Sequence, residues 1–298
     1  MSEATSPRRV PAIPEPERRI RVVIDTDAAN EVDDQYAMAL ALAAPERIDL
    51  RGLVAAHFGD RAGAAGIERS YEEVQRVLEL AGLAGRVPAL RGSHPLRYGD
   101  EASPSAGVDF IVAEARLATA EDPLWVVALG PATDAVSAYL TDPSIAERMV
   151  VLFHGRTRWP EKCWNFNVYN DVRAVRTLFH APLPLVLFDT GTYLRQPLEE
   201  AERLVAPHGR LGRYLVDIRR ASPGYASAEK GLFDLGDIAM LVDPSLSEWE
   251  EVPCPTVNWD LLYDHRRTHG RMLRVYHIDR PGTFRLLSER LAAWDGRG

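Results

Sequence analysis

Short apolar runs alternate with segments of helical periodicity along most of this chain, and this alternation limits the fold more than any other feature. Several runs, such as 124–129 and 149–153, are apolar without interruption, which is typical of strands covered on both faces. Strand, helix, strand at this spacing indicates parallel strands joined by crossover helices. We therefore predict an α/β fold with a mostly parallel, Rossmann-like central sheet and helices on both faces.

The individual elements can be placed from the same pattern. We predict strands at 20–25, 48–56, 87–90, 124–129, 149–153 and 183–188, and helices near 33–44, 67–82, 107–119, 131–140, 171–180 and 197–220. After residue 245 the pattern predicts two strands of antiparallel character and a helix, at 252–257, 271–278 and 282–294. These would form an appendage or an edge of the same sheet.

The first 19 residues carry four prolines and no apolar periodicity, so we predict a flexible N-terminal arm or a strap laid over the surface. Residues 20–298 contain no linker or repeat and are predicted to form a single domain. We find no long apolar run and no secretory signal, and we expect a cytoplasmic chain.

The net charge excludes some classes of partner. The chain has 35 Lys and Arg against 43 Asp and Glu, a formal charge of −8, which argues against binding to nucleic-acid backbones or anionic membranes. A small molecule is the better candidate. Cys163 and Cys254 form no CxxC, so neither a disulfide framework nor a thiolate zinc site is indicated.

An acid-rich turn follows the first predicted strand. The segment DTDAANEVDD at 25–34 contains five carboxylates, which repel each other unless a cation or protons neutralise them. A helix capped by Asn30 would account for the last three through its dipole. Asp25 and Asp27 would still lack a local partner at the end of a buried strand. A hard divalent cation is the natural neutraliser, and calcium tolerates irregular geometry better than magnesium.

This turn resembles the DxDPGxDD motif of the nucleoside hydrolases of the inosine-uridine preferring type. AANEV replaces the family's PGx, so the turn is two residues longer and is similar to a divergent branch with NExDD. The resemblance implies that Asp27 ligates calcium and takes the proton of the attacking water. It also implies that Asp34 ligates calcium and that Asp33 holds a ribose hydroxyl. Asp25 would be a buried supporting acid.

The insertion leaves two residues with open roles. Asn30 and Glu31 would reach the metal or the sugar, or would only cap the helix. Asn30 is taken as a candidate substrate-binding residue and Glu31 as a supporting acid.

Two more motifs follow in the family's order. GPATD resembles the family's GPLTN turn, which is preceded by a calcium-ligating backbone carbonyl, here that of Leu129. NFNVYND resembles EFNxxxD, which implies that Asn167 binds a ribose hydroxyl and that Asn165 replaces the glutamate at the 5′-hydroxyl. Taken alone, GPATD is a plain strand-to-helix turn, and both asparagines could simply cap the next helix.

The third motif, FDLGDIA, resembles the family's HDPxA helix. Asp234 would then be the remaining carboxylate ligand, with Asp237 as a competing candidate and a helix N-cap as the structural alternative for either. Phe233 stands where many members have a leaving-group histidine.

Weaker candidates complete the predicted site. Asp60 matches a position that lines the ribose in the family, and His57 is either a structural or a substrate-binding histidine. Tyr225 is a candidate for base binding and for help to the leaving group. His265 and His269 have metal-ligand spacing but are predicted to lie in a solvated loop. Further side chains considered for base contacts are His94, His154 and Trp159.

The resemblance implies calcium-dependent hydrolysis of the N-glycosidic bond of a ribonucleoside or related N-riboside, giving ribose and free base, by a homodimer or homotetramer. A haloacid-dehalogenase-like phosphatase is an alternative because DTD also resembles its DxDxT motif, although Ala29 occupies the threonine position. The second alternative is a non-catalytic relative that binds ribose or a metal. Neither a GxSxG nor a P-loop motif occurs.

Overall fold

The computed structural model describes residues 8–59, 65–221 and 229–295. Its strands are β1 (Ile20–Thr26), β2 (Ile48–Ala55), β3 (Ala89–Arg91), β4 (Leu124–Ala128), β5 (Met149–His154), β6 (Leu185–Phe188), β7 (Arg195–Pro197), β8 (Glu229–Gly231), β9 (Ser247–Val257) and β10 (Tyr263–Ile278). In these residues, eight strands form one sheet in the order β3-β2-β1-β4-β5-β6-β10-β9. Only β9 runs antiparallel to its neighbour, so the prediction of a mostly parallel sheet with an antiparallel edge is confirmed.

Helices cover both faces of this sheet. They are α1 (Asp33–Ala43), α2 (Ala65–Leu80), α3 (Ala106–Arg116), α4 (Thr133–Thr141), α5 (Phe166–Asn170), α6 (Val172–His180), α7 (Leu198–Leu204), α8 (Gly209–Ala221), α9 (Leu235–Val242) and α10 (Arg280–Asp295). Apolar side chains of α1, α2, α8, α9 and α10 share one core, and those of α3, α4 and α6 share the other.

The uninterrupted apolar strands explain this layering. Ile24 contributes to one core and its neighbour Val23 to the other, because successive strand side chains point to opposite faces. The same alternation holds along β4. A strand buried on both faces must be apolar at every position, as these are.

Two predicted elements differ from the structure. The single helix predicted at 197–220 is two helices, α7 and α8, separated by a turn that contains Pro207. The second helix begins at Gly209, whose φ of +67° suits glycine. His265 and His269 lie within β10 rather than in a solvated loop.

The described part of the N-terminal segment, residues 8–19, lies against the body of the protein as a strap. The Arg8 guanidinium is buried and donates hydrogen bonds to the carbonyl oxygens of Leu178, Phe179 and Ala181 at 2.8, 2.9 and 2.6 Å. Val10 and Ile13 pack against the core. Of the two alternatives for this segment, the surface strap is the one that residues 8–19 adopt.

The carboxyl ends of β1, β4 and β5 meet at one edge of the sheet, where ligands bind in open parallel sheets. Among the described helices, none has the length and hydrophobicity to cross a bilayer.

Candidate active site

Pairing of β1 with β4 builds the floor of the site. Asp25 lies opposite Ala128, and the N–H of Leu129 donates to the Asp25 carbonyl oxygen at 2.8 Å. Asp27 then lies directly against the turn that follows β4. A Cβ on Gly130 would come within 3.1 Å of Asp27 Cβ, so glycine permits this close approach.

Two helix starts bring three further acids together at the cavity that Asp27 also lines. Asp33 and Asp34 open α1, and Asp234 precedes α9, which packs against α1. One carboxylate oxygen from each of these three buried residues lies within 4.8 Å of the other two. The Thr26 hydroxyl donates to Asp34, and the backbone N–H of Phe233 donates to Asp33 Oδ2 at 3.2 Å.

Burial and the charges of neighbouring acids raise the pKa values of Asp27, Asp34 and Asp234. Burial, followed by the charge of Asp33, raises the pKa of Asp34 to about 7. Burial, followed by the charges of Asp34 and Asp33, raises the pKa of Asp27 well above its ordinary value. Burial and the charges of Asp33 and Asp34 do the same to the pKa of Asp234. Two helix N-termini offset only part of this repulsion.

The donor set suits a hard divalent cation. Asp27 Oδ2 is buried and accepts no hydrogen bond from the described residues. Asp234 occupies the N-cap position of α9 but makes no capping hydrogen bond, so the purely structural alternative does not explain it. Carboxylate oxygens, together with the carbonyl oxygen of Leu129 at the same cavity, are the ligands that calcium prefers.

A cavity that is open to solvent lies above these acids. It brings together most of the residues predicted for the site, from five separate stretches of the chain. Its lining residues are Asp27, Asn30, Glu31, Asp33, Asp34, Leu129, His154, Arg156, Asn165, Phe166, Asn167, Phe233 and Asp234.

The longer turn does not cap α1 through Asn30. The N-cap residue is Val32 and no side chain caps the helix, so the structural alternative of an asparagine cap does not hold. Glu31 turns instead towards Lys230, whose Nζ lies 2.6 Å from Glu31 Oε2.

Both predicted asparagines line the cavity, and both also have structural bonds. Asn165 is the N-cap of α5 and accepts a hydrogen bond from the N–H of Val168 at 2.8 Å. Asn167 Nδ2 donates to the carbonyl oxygens of Leu129 and His154 at 2.5 and 3.2 Å. Asn165 therefore caps a helix, as the structural alternative predicts. Asn167 does not cap a helix but joins the ends of β4 and β5.

His57 is not brought to the cavity. Its Nδ1 accepts from the N–H of Gly59 at 3.1 Å, so Nε2 carries the proton and donates to Thr133 Oγ1 at 2.8 Å. Thr133 in turn donates to Asp171 at 2.8 Å. Burial lowers the pKa of His57 to about 4, and this neutral histidine joins elements of the scaffold instead of binding substrate.

Asp25 supports the site from below, paired with an acid that the sequence did not single out. Burial, followed by the charge of Asp134, raises the pKa of Asp25 well above its ordinary value. Burial also raises the pKa of Asp134 to about 6, although Ser93 donates two hydrogen bonds to it at 2.8 and 2.9 Å. Asp134 is the last residue of the GPATD motif, so this motif could have pointed to it in the sequence.

Other predicted residues lie elsewhere. Asp60 and Tyr225 lie outside the described residues. His94 is exposed. Trp159 packs against Tyr263, with ring centroids 5.1 Å apart, and does not line the cavity.

A buried histidine and aspartate complete the floor. His154 Nδ1 lies 2.7 Å from Asp237 Oδ2 and 3.5 Å from Asp234 Oδ1. Burial alone would lower the pKa of His154, but the charge of Asp237 raises it above its ordinary value. Asp237, the competing ligand candidate, pairs with His154, and ligand atoms of these two residues and of Asp234 lie within 4.8 Å of one another.

The comparisons with known proteins agree with this geometry. The family model described as inosine-uridine preferring nucleoside hydrolase matches residues 22–282. No curated protein sequence matches the chain significantly.

Solved nucleoside hydrolases share the fold. A purine-preferring ribonucleoside hydrolase from Gardnerella vaginalis has a TM-score of 0.73 at 19% identity, over 93% of this chain and 100% of that chain. A plant nucleoside hydrolase has a TM-score of 0.71 at 19% identity, over 92% and 99%. An inosine-uridine preferring nucleoside hydrolase from Bacillus anthracis has 0.65 at 15% identity, over 92% and 99%. With the family model spanning nearly the whole chain, this protein belongs to the inosine-uridine preferring nucleoside hydrolase family of enzymes.

Proposed function

We propose that this enzyme hydrolyses the N-glycosidic bond of a ribonucleoside or a related N-riboside, giving ribose and the free base, with Ca²⁺ held by Asp27, Asp34, Asp234 and the Leu129 carbonyl. One observation carries the proposal: buried residues with oxygen ligands, from three distant stretches of the chain, line the floor of one cavity. Without a cation, this many buried carboxylates in one place would destabilise the fold.

Each group of cavity residues has its own role in the proposed reaction. A bound divalent cation would supply Lewis acidity to water and would hold ribose hydroxyls. Asp27, with its unpartnered Oδ2, accepts the proton of the water that attacks C1′. Asp33 and Asn167 bind the ribose hydroxyls, and Asn30 and Asn165 contact the sugar from either side of the cavity. Fixing the sugar in this way lowers the entropic part of the barrier.

The proposal also covers the substrate, the location and the oligomeric state. The small-molecule partner is a nucleoside, the enzyme works in the cytoplasm, and it assembles as a homodimer or homotetramer. Asp60 and Tyr225 remain candidates for contact with the sugar and the base.

The test is ribose release from a panel of ribonucleosides by the calcium-loaded protein. Asp27→Asn should lower kcat by about 10³-fold, which is typical of the loss of a general base. Asp109→Asn, an exposed aspartate on α3, is the matched control and should leave kcat unchanged. Failure of the calcium-loaded wild type to hydrolyse any member of the panel would overturn the proposal.

The alternatives give other outcomes. A non-catalytic relative would bind ribose or metal without turnover, and Asp27→Asn would change only affinity. The phosphatase alternative has lost its support, because the family model is that of a nucleoside hydrolase and Lys230 is paired with Glu31.

A further inference from the structure

One arginine lines the cavity together with the acids of its floor. Arg156 follows β5, is half-buried, and is the one lysine or arginine among the cavity-lining residues. Its Cζ lies 4.6 Å from the centroid of the Phe233 ring. No ion pair within the described residues involves Arg156, so its charge is not matched by a carboxylate of this part of the chain.

Phe233 holds this guanidinium in place and is itself fixed. Its ring packs against Gly231 so closely that a Cβ there would lie 2.1 Å from Phe233 Cζ. Its backbone N–H is bonded to Asp33 Oδ2 at 3.2 Å, which ties this wall of the cavity to the acidic floor. A cation over an aromatic face is attracted by the ring quadrupole, so the pair forms one preorganised unit.

Lys230 is the contrasting cation. It also lies near the Phe233 ring, at 5.4 Å, but its Nζ is bonded to Glu31 Oε2 at 2.6 Å and to the Gly231 carbonyl oxygen at 2.7 Å. Its charge is therefore neutralised within the protein and it does not line the cavity.

An arginine cannot replace a histidine as a proton donor, because the guanidinium keeps its proton at neutral pH. It can, however, stabilise negative charge through several N–H groups of fixed geometry. Such a donor is most effective where charge develops only in the transition state, inside a cavity that excludes water.

We propose that Arg156, held by Phe233, stabilises the departing base as an anion in place of a proton-donating residue; this rests on the function proposed above. The C1′–N bond breaks and its electron pair leaves with the base nitrogen. The water oxygen forms the new bond to C1′ and its proton passes to Asp27. The base anion leaves against Arg156 and takes up a proton from solvent, while Asp27 releases the proton it received.

The test compares two leaving groups in the calcium-loaded enzyme. The first substrate is the ribonucleoside that the wild type hydrolyses best. The second is 4-nitrophenyl β-D-ribofuranoside, whose nitrophenolate is a stable anion and needs little help. For Arg156→Gln we expect kcat on the nucleoside to fall by about 10²-fold or more and kcat on the nitrophenyl riboside by less than about 10-fold. Arg158→Gln, an exposed neighbour outside the cavity lining, is the control and should affect neither.

The outcomes separate this inference from the proposed function. Equal losses on both substrates, or no loss on the nucleoside, would overturn the role of Arg156 and leave the hydrolase function standing. A wild type that cleaves the nitrophenyl riboside but no nucleoside would overturn the proposed function and, with it, the role of Arg156. A wild type that cleaves neither would overturn both. Calcium-dependent thermal stabilisation of Arg156→Gln, equal to that of the wild type, shows that the variant is folded.

Discussion

Lys230 and Glu31, 199 positions apart in the chain, form an ion pair with 2.6 Å between Nζ and Oε2. Glu31 belongs to the acid-rich turn, and Lys230 lies on β8, shortly before Phe233 and Asp234. The pair therefore joins the acid-rich turn to the segment that leads into α9.

The strength of this pair can be measured by a double-mutant cycle with Glu31→Gln and Lys230→Met. We expect a coupling of about 1 kcal/mol in the free energy of unfolding, since Lys230 is buried but Glu31 is partly exposed. The coupling should decrease at 1 M salt. The half-exposed pair Arg18 and Asp122 is the control, with a smaller coupling expected. A coupling near zero for the first pair would contradict a stabilising contact.

Asp234→Asn should change stability in opposite directions with and without calcium. Without calcium, the variant should melt at a higher temperature than the wild type, because one buried acid no longer repels Asp33 and Asp34. With calcium at 100 times its Kd, the wild type should gain about 2.7 kcal/mol, and the variant should lose most of this gain. Calorimetry measures both effects. The control Asp109→Asn should melt like the wild type, both with and without calcium. A variant that is destabilised without calcium would contradict the repulsion described here.

Gly130→Ala tests the close approach of the turn to Asp27. The new Cβ would lie 3.1 Å from Asp27 Cβ and 3.2 Å from Cγ, so the catalytic carboxylate must shift by a few tenths of an ångström. We expect kcat to fall about 10-fold while stability changes by less than about 1 kcal/mol. At Gly99 the corresponding contact, with Thr177 Oγ1, is an ordinary 3.4 Å, and Gly99→Ala should leave kcat unchanged. Equal effects of the two substitutions would argue against a steric role for Gly130.

His57 should make the protein less stable in mild acid. Its pKa is about 4 in the folded protein and near 6.5 in the unfolded chain, so between these values the unfolded chain binds more protons and stability falls as the pH falls. The full loss is roughly 3 kcal/mol. His57→Asn can still accept from the N–H of Gly59 but cannot titrate. Urea unfolding from pH 7 to pH 4 should therefore show a shallower decline for His57→Asn than for the wild type, and parallel curves would refute the assignment.

The central sheet could be predicted because strands buried on both faces must be apolar throughout, as 124–129 and 149–153 are. The break between α7 and α8 was missed because apolar periodicity continues across it while Pro207 and Gly209 interrupt the helix. The short strands β7 and β8 have too few residues to show a period. Their pairing depends on contacts between distant segments.

The acidic floor was predictable because its residues lie in motifs directly after strands or at helix starts. Arg156 was not, because it lies in a loop and acquires its position only through the ring of Phe233, 77 positions later. The pairing of His154 with Asp237, and of Asp25 with Asp134, likewise needs the fold before the partners become visible. Sequence patterns reveal which groups could carry the chemistry, whereas tertiary packing decides which of them meet.

The strap has a consequence for synthesis on the ribosome. Arg8 leaves the ribosome well before its partners, because the three carbonyl oxygens that accept its hydrogen bonds follow 170 to 173 positions later. Gly270, whose Cα approaches Arg8 so closely that a Cβ would lie 2.8 Å from Arg8 Cβ, is translated later still. The strap therefore cannot complete its contacts until these later segments have been made.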